Sequence, residues 1–194
     1  MTKTTRTYLR ALVVAGLAAA LTGVLGATVP QTASAASAPD PTTGSLSWMP
    51  DPIKPPAGSS LVGVYAVVKG TQNYTCVTAD GAATGAYTGP SIPEARLQGT
   101  GGRVHHFAGP SWQSTRDGSL VTATKVASSA RDSAVPELLL KVATHAGKGV
   151  LSQADYINRL LTSGGVAPTG TCKAGNTAKV PYGAIYVFWN DPAV

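Results

Sequence analysis

The chain has 194 residues, with 15 basic side chains, 9 acidic side chains and three histidines, which gives a formal net charge of +6 at pH 7. Three of the basic residues lie within the first ten positions, and the others are scattered without a basic run or interleaved aromatic residues. The positive charge therefore does not support nucleic-acid binding, and we expect no nucleic acid among the partners.

The N-terminus has the three-part layout of a secretory signal peptide. Lys3, Arg6 and Arg10 precede an apolar run over residues 11–29, and the Ala-x-Ala pattern that signal peptidase cleaves ends at Ala35. We expect cleavage after Ala35, which leaves residues 36–194 with a net charge of +3. The alternative is an uncleaved membrane anchor, because the apolar run approaches the length of a spanning helix. Cleavage predicts a secreted, extracellular protein, free or associated with the cell wall, with no transmembrane anchor.

A proline-rich segment follows over residues 36–60 and predicts an extended arm in front of the folded domain. Trp48 and Ile53 are apolar side chains within it, and we expect them to pin part of the arm onto the domain. The composition changes at Leu61 to short β-branched runs that are separated by glycine and proline. One β-rich domain over residues 61–194 is therefore predicted.

Short runs of β-branched and aromatic residues predict most of the strands. These runs cover residues 61–68, 73–77, 103–107, 119–126 and 180–189. Gly70 is expected to separate the first two strands, and Asp117-Gly118 to form a turn before the fourth. Several short strands between turns predict a mainly β fold, a small sandwich or barrel-like domain.

Two further segments leave the type of secondary structure open. Residues 137–143 fit a core strand or a short helix. Residues 152–161 fit a helix with a capping sequence at Ser152, or a strand with Ile157, Arg159 and Leu161 on one face. A glycine pair at 164–165 ends the element in either case.

The two cysteines, Cys76 and Cys172, are expected to form a disulfide because exported proteins meet an oxidising compartment. In the chain-entropy model, closing so long a loop stabilises the folded state by roughly 4 to 5 kcal/mol. The competing interpretation is a metal site, which needs more ligands than these cysteines and three histidines provide without a Cys-x-x-Cys pair. We therefore predict the disulfide, no metal and no cofactor.

An ordered series of short motifs resembles one secreted family. The motifs are Gly70-Thr71-Gln72-Asn73-Tyr74-Thr75-Cys76, Val104-His105-His106-Phe107, Pro110-Ser111-Trp112, Tyr156-Ile157-Asn158-Arg159, Gly164-Gly165-Val166-Ala167-Pro168 and Val180-Pro181-Tyr182-Gly183-Ala184-Ile185-Tyr186-Val187-Phe188. Together they resemble the family known as domain of unknown function 3455, found in bacteria and fungi, over residues 62–189. The resemblance implies the Cys76–Cys172 pair, a β-rich fold and a strand over residues 156–161. It implies no activity.

The chain departs from the usual pattern of that family at two places. The family has an aromatic residue where this chain has His106, and a Trp-Leu-like pair near Leu138-Leu139. His105 and His106 are adjacent, so a strand directs them to opposite faces, and we expect one packed and one solvated histidine. Since His105 matches the family series, the resemblance favours His105 as the functional one.

Trp112 and Arg159 complete the candidate ligand-binding residues, together with His105. Arg159 lies among apolar residues and requires a carboxylate, a backbone carbonyl or a ligand anion, and we expect an internal pair with Asp117 or Glu137. Trp112 follows Gly109-Pro110 on a predicted loop, where its ring is either a stacking surface for a sugar or peptide or a lid over the core.

The chemistry of the chain favours binding over catalysis. The sequence contains no Gly-x-Ser-x-Gly or His-Glu-x-x-His motif, and the glycines at 99–102 lack the spacing of a dinucleotide-binding loop. We expect a non-catalytic extracellular or cell-envelope domain that binds a cell-wall polymer, a glycan or a small molecule. The alternative is a secreted hydrolase that uses His105 with an acidic partner and Arg159, which requires these groups to share one pocket.

Overall fold

A computed structural model describes residues 46–193, which form eleven β-strands and two short 3-10 helices at Leu46–Trp48 and Asp51–Ile53. The strands are β1 (Ser60–Thr75), β2 (Val77–Thr78), β3 (Thr84–Ala86), β4 (Ile92–Gly99), β5 (Gly102–Phe107), β6 (Ser111–Ser114), β7 (Leu120–Ser129), β8 (Glu137–Ala146), β9 (Tyr156–Gly164), β10 (Cys172–Lys173) and β11 (Thr177–Asn190). The predicted mainly β fold is confirmed. The predicted signal peptide, with its predicted cleavage site at Ala35, and the first part of the predicted arm lie outside the described residues.

Eight of the strands close into one antiparallel barrel in the order β1-β11-β9-β8-β7-β6-β5-β4. Successive side chains of a strand alternate between the interior and the exterior of such a barrel. In β11, Ala184, Tyr186 and Phe188 therefore belong to the interior cluster, whereas Val187 and Trp189 belong to a cluster on the outer side. None of the helices in residues 46–193 has the length and hydropathy that crossing a bilayer requires.

The structure places strands, and no helix, in both open segments, and residues 152–155 precede the second strand. Residues 137–143 lie in β8, and residues 156–161 lie in β9, which ends at Gly164 as predicted. Leu161 is an exception to the expected alternation, because it has a positive φ of 50° at a register shift and is exposed. Local propensity does not distinguish helix from strand in these segments. The tertiary structure does, because β8 and β9 each pair with a neighbouring strand on both sides within the barrel.

The expected strand break at Gly70 is wrong, because β1 continues through it from Ser60 to Thr75. The register shifts against β11 between Ala66 and Thr71, which indicates a bulge and not an end. A Cβ at Gly70 would come within 2.8 Å of Tyr182 Cε1. Glycine is thus required here for close packing inside the barrel.

The arm covers the outer face of β8, β9 and β11. Met49 and Ile53 are buried against a cluster that includes Leu160 and Trp189, whereas Trp48 is 59% exposed. The expectation that Ile53 pins the arm is thus confirmed, and the expectation for Trp48 is wrong. Asn158 completes the attachment, since its Nδ2 donates to Ile53 O at 2.7 Å.

The two ends of the barrel differ. The segment 147–155, between β8 and β9, covers one end and buries Leu151 and Ala154 in the interior cluster. The other end is flanked by a small sheet of β10, β3 and β2, and the disulfide Cys76–Cys172 lies beside it with a Cα–Cα distance of 5.9 Å. The predicted disulfide is present. We call these the closed end and the open end.

Candidate functional site

The open end of the barrel contains a cavity of about 180 Å³. It is bounded by side chains of seven barrel strands and by the segments before β4 and between β5 and β6. The lining residues are Gln72, Ser91, Ile92, Pro93, His106, Ala108, Gly109, Pro110, Trp112, Leu138, Leu140, Arg159 and Tyr186. The wall is therefore mainly apolar and aromatic, with a few polar groups, which is the usual composition of a small-molecule site.

His106 lies at the centre of the aromatic part of this wall. The alternation of β5 places its side chain inside the barrel with Val104, and it is 2% exposed. Its ring stacks on Trp112 with centroids 4.3 Å apart and an interplanar angle of 6°, and it meets the Tyr186 ring at 5.1 Å. The flat imidazole thus forms part of an aromatic cluster with Trp112 and Tyr186.

The protonation state of His106 follows from its surroundings. Nδ1 lies 2.9 Å from Ser111 O, and because a carbonyl oxygen only accepts, Nδ1 carries the proton. Burial lowers the pKa of His106 to about 3, although the Ser111 bond partly opposes that shift. The positive charge of Arg159 lowers this pKa further. His106 is therefore neutral at physiological pH, with a lone pair on Nε2.

Arg159 provides a charged group in the cavity wall. Its Nε and Nη2 donate to Pro136 O at 3.1 and 2.8 Å, and no carboxylate oxygen of residues 46–193 forms an ion pair with it. The expected pair with Asp117 or Glu137 is therefore wrong. Glu137 instead lies 3.6 Å from Arg131 Nη1 and accepts from Leu161 N, while Asp117 belongs to the closed end.

Two residues that line the cavity, Gln72 and Trp112, each have one buried nitrogen without a hydrogen-bond partner among residues 46–193. Gln72 is 1% exposed, and its Oε1 accepts a hydrogen bond from Ser91 Oγ at 2.6 Å. Its Nε2 and the Nε1 of Trp112 have no hydrogen-bond partner among residues 46–193. Leaving a buried donor unpaired costs about 1 to 3 kcal/mol, and both donors belong to residues that line the cavity.

A glycine turn after β9 holds Gln72 in position. Gly165 has a φ of +77°, and a Cβ there would come within 2.9 Å of Tyr182 Cβ and 3.1 Å of Gln72 Cγ. Gly165 O also accepts a 2.6 Å hydrogen bond from the buried Tyr74 hydroxyl. Only glycine permits this backbone conformation and this close approach together.

The structure brings two of the three predicted ligand-binding residues together. Trp112 and Arg159 line the same cavity, whereas His105 lies on the outer face with Nε2 at 2.8 Å from Glu94 Oε1. The expected packed and solvated histidines are confirmed, and it is His106 that faces the cavity. The signal was available in the sequence, because the inward Val104 and His106 lie two residues apart in one strand.

The predicted position of Trp112 is also corrected. It lies in β6 and is 1% exposed, not on an exposed loop. The short β6 has few residues from which a strand could be recognised, but pairing with β5 and β7 extends the sheet through it. Within residues 46–193, no three His, Cys, Asp or Glu side chains converge as metal ligands.

Comparison with known proteins gives one family match. No curated protein and no solved structure was found to match the chain. A family model described as "Protein of unknown function (DUF3455)" matches residues 93–190, about half of the chain. The matched part runs from β4 to β11 and includes His106, Trp112 and Arg159, while Gln72 and Cys76 precede it. The chain therefore belongs to the DUF3455 family of proteins of unknown function.

Proposed function

We propose that this protein is a secreted binding protein that holds a small molecule in the cavity at the open end of its barrel. One observation carries the proposal: an apolar and aromatic cavity of about 180 Å³ coincides with buried polar groups that have no partner among the described residues. Folded proteins pair nearly all their buried polar groups, so unpaired donors in a cavity wall favour a binding role.

Secretion is supported by two features of the chain. The sequence has a secretory layout with a cleavage pattern at Ala35, and Cys76 and Cys172 are joined by a disulfide. Disulfides persist in oxidising compartments and are rare in the cytosol. The proposed site of action is thus outside the cell, either free or at the cell wall.

Binding is a better proposal than catalysis for this site. The hydrolase alternative needs His105 and Arg159 in one pocket, but His105 lies on the outer face and Arg159 lines the cavity. His106 does line the cavity, but a pKa of about 3 makes it a weak base, and general bases work best with a pKa near the working pH.

A small molecule fits the cavity better than a cell-wall polymer or a glycan chain. An engineered apolar cavity of roughly 150 Å³ binds benzene, so a cavity of about 180 Å³ accommodates a ring-sized molecule. A polymer would need an extended groove, and in this site it could insert only a terminal group.

The indole N–H signals of the three tryptophans test the proposal by nuclear magnetic resonance. The purified protein is titrated with ring-sized probes of different charge: benzoate, benzamide, benzylamine and cyclohexanol. We expect at least one probe to shift the Trp112 Nε1 signal, since Trp112 lines the cavity and its N–H is unpaired. Trp112→Phe assigns that signal.

The other two tryptophans are internal controls for this titration. Trp189 Nε1 donates to Asn158 Oδ1 at 2.8 Å on the outer side of the barrel, and Trp48 is exposed on the arm. Neither signal is expected to move when a probe enters the cavity. Shifts confined to Trp48, or no shift with any probe, would contradict the proposed function.

A further inference from the structure

Given the proposed binding function, we infer that the natural ligand is a small organic carboxylate whose anionic group binds Arg159 and whose apolar body lies against Trp112, Leu138 and Leu140. The inference extends from the class of site to the class of ligand. It depends on the charge, the hydrogen-bonding groups and the size of the cavity.

The charge of the cavity is positive. Arg159 is the only residue with a permanent charge among those that line the cavity, and it forms no ion pair with a carboxylate of residues 46–193. His106 is neutral and therefore neither adds to this charge nor compensates it. A half-buried guanidinium is stabilised when an anion approaches it, and a carboxylate matches its planar fork in a bidentate pair.

Two carboxylates on barrel strands at the open end have other partners. Glu94 pairs with His105 on the outer face of the barrel. Glu137 is buried, accepts a hydrogen bond from Leu161 N and lies near Arg131. Both carboxylates thus have partners of their own, and within residues 46–193 the charge of Arg159 is not paired with a carboxylate.

The unpaired polar groups around the cavity are donors. They are the Nε2 of Gln72 and the Nε1 of Trp112, whereas the acceptor oxygen of Gln72 already takes a hydrogen bond from Ser91. Arg159 is also a donor, with two of its N–H groups directed to Pro136 O. A wall with surplus donors and one positive charge favours a ligand with acceptor oxygens and negative charge.

The apolar part of the wall limits the size and the polarity of the rest of the ligand. Leu138, Leu140 and Trp112 bound the same space as Arg159, and its volume of about 180 Å³ corresponds to one ring with a small substituent. Burying the apolar body adds affinity in proportion to the area removed from water. The expected ligand is therefore a monocarboxylate with a ring-sized body.

Benzoate and benzamide form a matched pair that tests the inference, because they share shape and differ in charge. Calorimetric or NMR titration of the purified protein should give a Kd for benzoate about ten- to a hundred-fold lower than that for benzamide. Arg159→Gln should remove this preference and leave the affinity for benzamide nearly unchanged. Arg159→Lys should restore part of the preference, since it keeps the positive charge.

Arg116→Gln is the control for general loss of charge. Arg116 is exposed between β6 and β7, at the closed end, so this variant loses one positive charge far from the cavity. We expect it to retain the full preference for benzoate. An equal loss in Arg116→Gln and Arg159→Gln would contradict a local role of Arg159.

The outcomes separate this inference from the proposed function. Equal affinities for benzoate and benzamide, or a shift of the Trp112 signal with neutral probes alone, would overturn the inference and leave a binding cavity. The absence of any cavity shift would overturn both. If Arg159→Gln does not fold, the benzoate-to-benzamide ratios of the wild-type and Arg159→Lys proteins still decide the question.

Discussion

The closed and open ends of the barrel differ in how their charged side chains are paired, although the closed end also has buried polar atoms without a partner among the described residues, Ser59 Oγ and Tyr65 Oη. At the closed end, Asp117 accepts hydrogen bonds from Ser119 N, Ser119 Oγ and Val150 N, which lower its pKa to about 2. At the open end, Arg159 has no carboxylate partner among the described residues, and Gln72 keeps an unpaired amide nitrogen. The contrast in the pairing of these two charged groups is consistent with the proposal that a ligand binds at the open end.

The connections at the two ends differ as well. The closed end includes a two-residue turn between β4 and β5 and the segment 147–155, which has its own buried side chains. The open end has two long connections, residues 76–91 and 165–176, joined by the small sheet and the disulfide. Long connections contribute little to the core, and a covalent crosslink replaces part of the stability that packing would otherwise provide.

Removal of the disulfide should cause the largest loss of stability among the substitutions that we predict, and the local loss should be greatest at the open end. Replacing Cys76 and Cys172 by serine is expected to lower the free energy of unfolding by roughly 4 to 5 kcal/mol in the chain-entropy model, since the bond closes a sequence separation of 96 residues. Urea denaturation measures this loss. Hydrogen exchange should also accelerate in residues 76–91 and 165–176 more than in 147–155, and equal acceleration of all three segments would contradict the comparison.

One leucine at each end gives a matched pair of core substitutions. Leu151 is fully buried at the closed end, so Leu151→Ala should cost about 3 kcal/mol or more of unfolding free energy. Leu138 is partly buried and borders the existing cavity, so Leu138→Ala should cost only about 1 kcal/mol. Urea midpoints at constant m-value compare the two, and similar losses would mean that both ends are packed alike.

His106 at the open end should also make the free energy of unfolding depend on pH. The pKa of His106 is about 3 in the folded protein against an ordinary value of 6.5, so the unfolded chain binds a proton that the folded chain excludes. This contribution to stability is complete above pH 6.5 and is lost as the pH falls toward 3, by up to about 1.4 kcal/mol per pH unit.

His106→Phe tests this acid dependence, because phenylalanine keeps a flat ring against Trp112 and has no titratable nitrogen. Urea unfolding between pH 4.5 and 7 should show a shallower loss of stability in this variant. The range lies above the pKa of Asp117, which is about 2. A wild-type slope in His106→Phe would assign the effect to another group.

Several elements could be predicted from the residues alone, because their signals are local. The composition of residues 180–189 favours a strand, the glycine pair at 164–165 ends β9, and two cysteines in a chain with the layout of an exported protein predict one disulfide. Adjacent histidines on one strand necessarily face opposite sides. Arg159 was also recognisable as a candidate, since a charged residue among apolar ones needs a partner.

Only the tertiary structure determines which residues come together in the candidate site. His106, Trp112 and Arg159 lie on β5, β6 and β9, and the order of strands around the barrel brings them to one cavity. The partner of Arg159 also depended on this closure, because the carbonyl of Pro136 lies within its reach and the carboxyl of Asp117 belongs to the other end. Pattern and composition act over a few residues, whereas strand order and barrel closure are set by contacts between residues far apart in the chain.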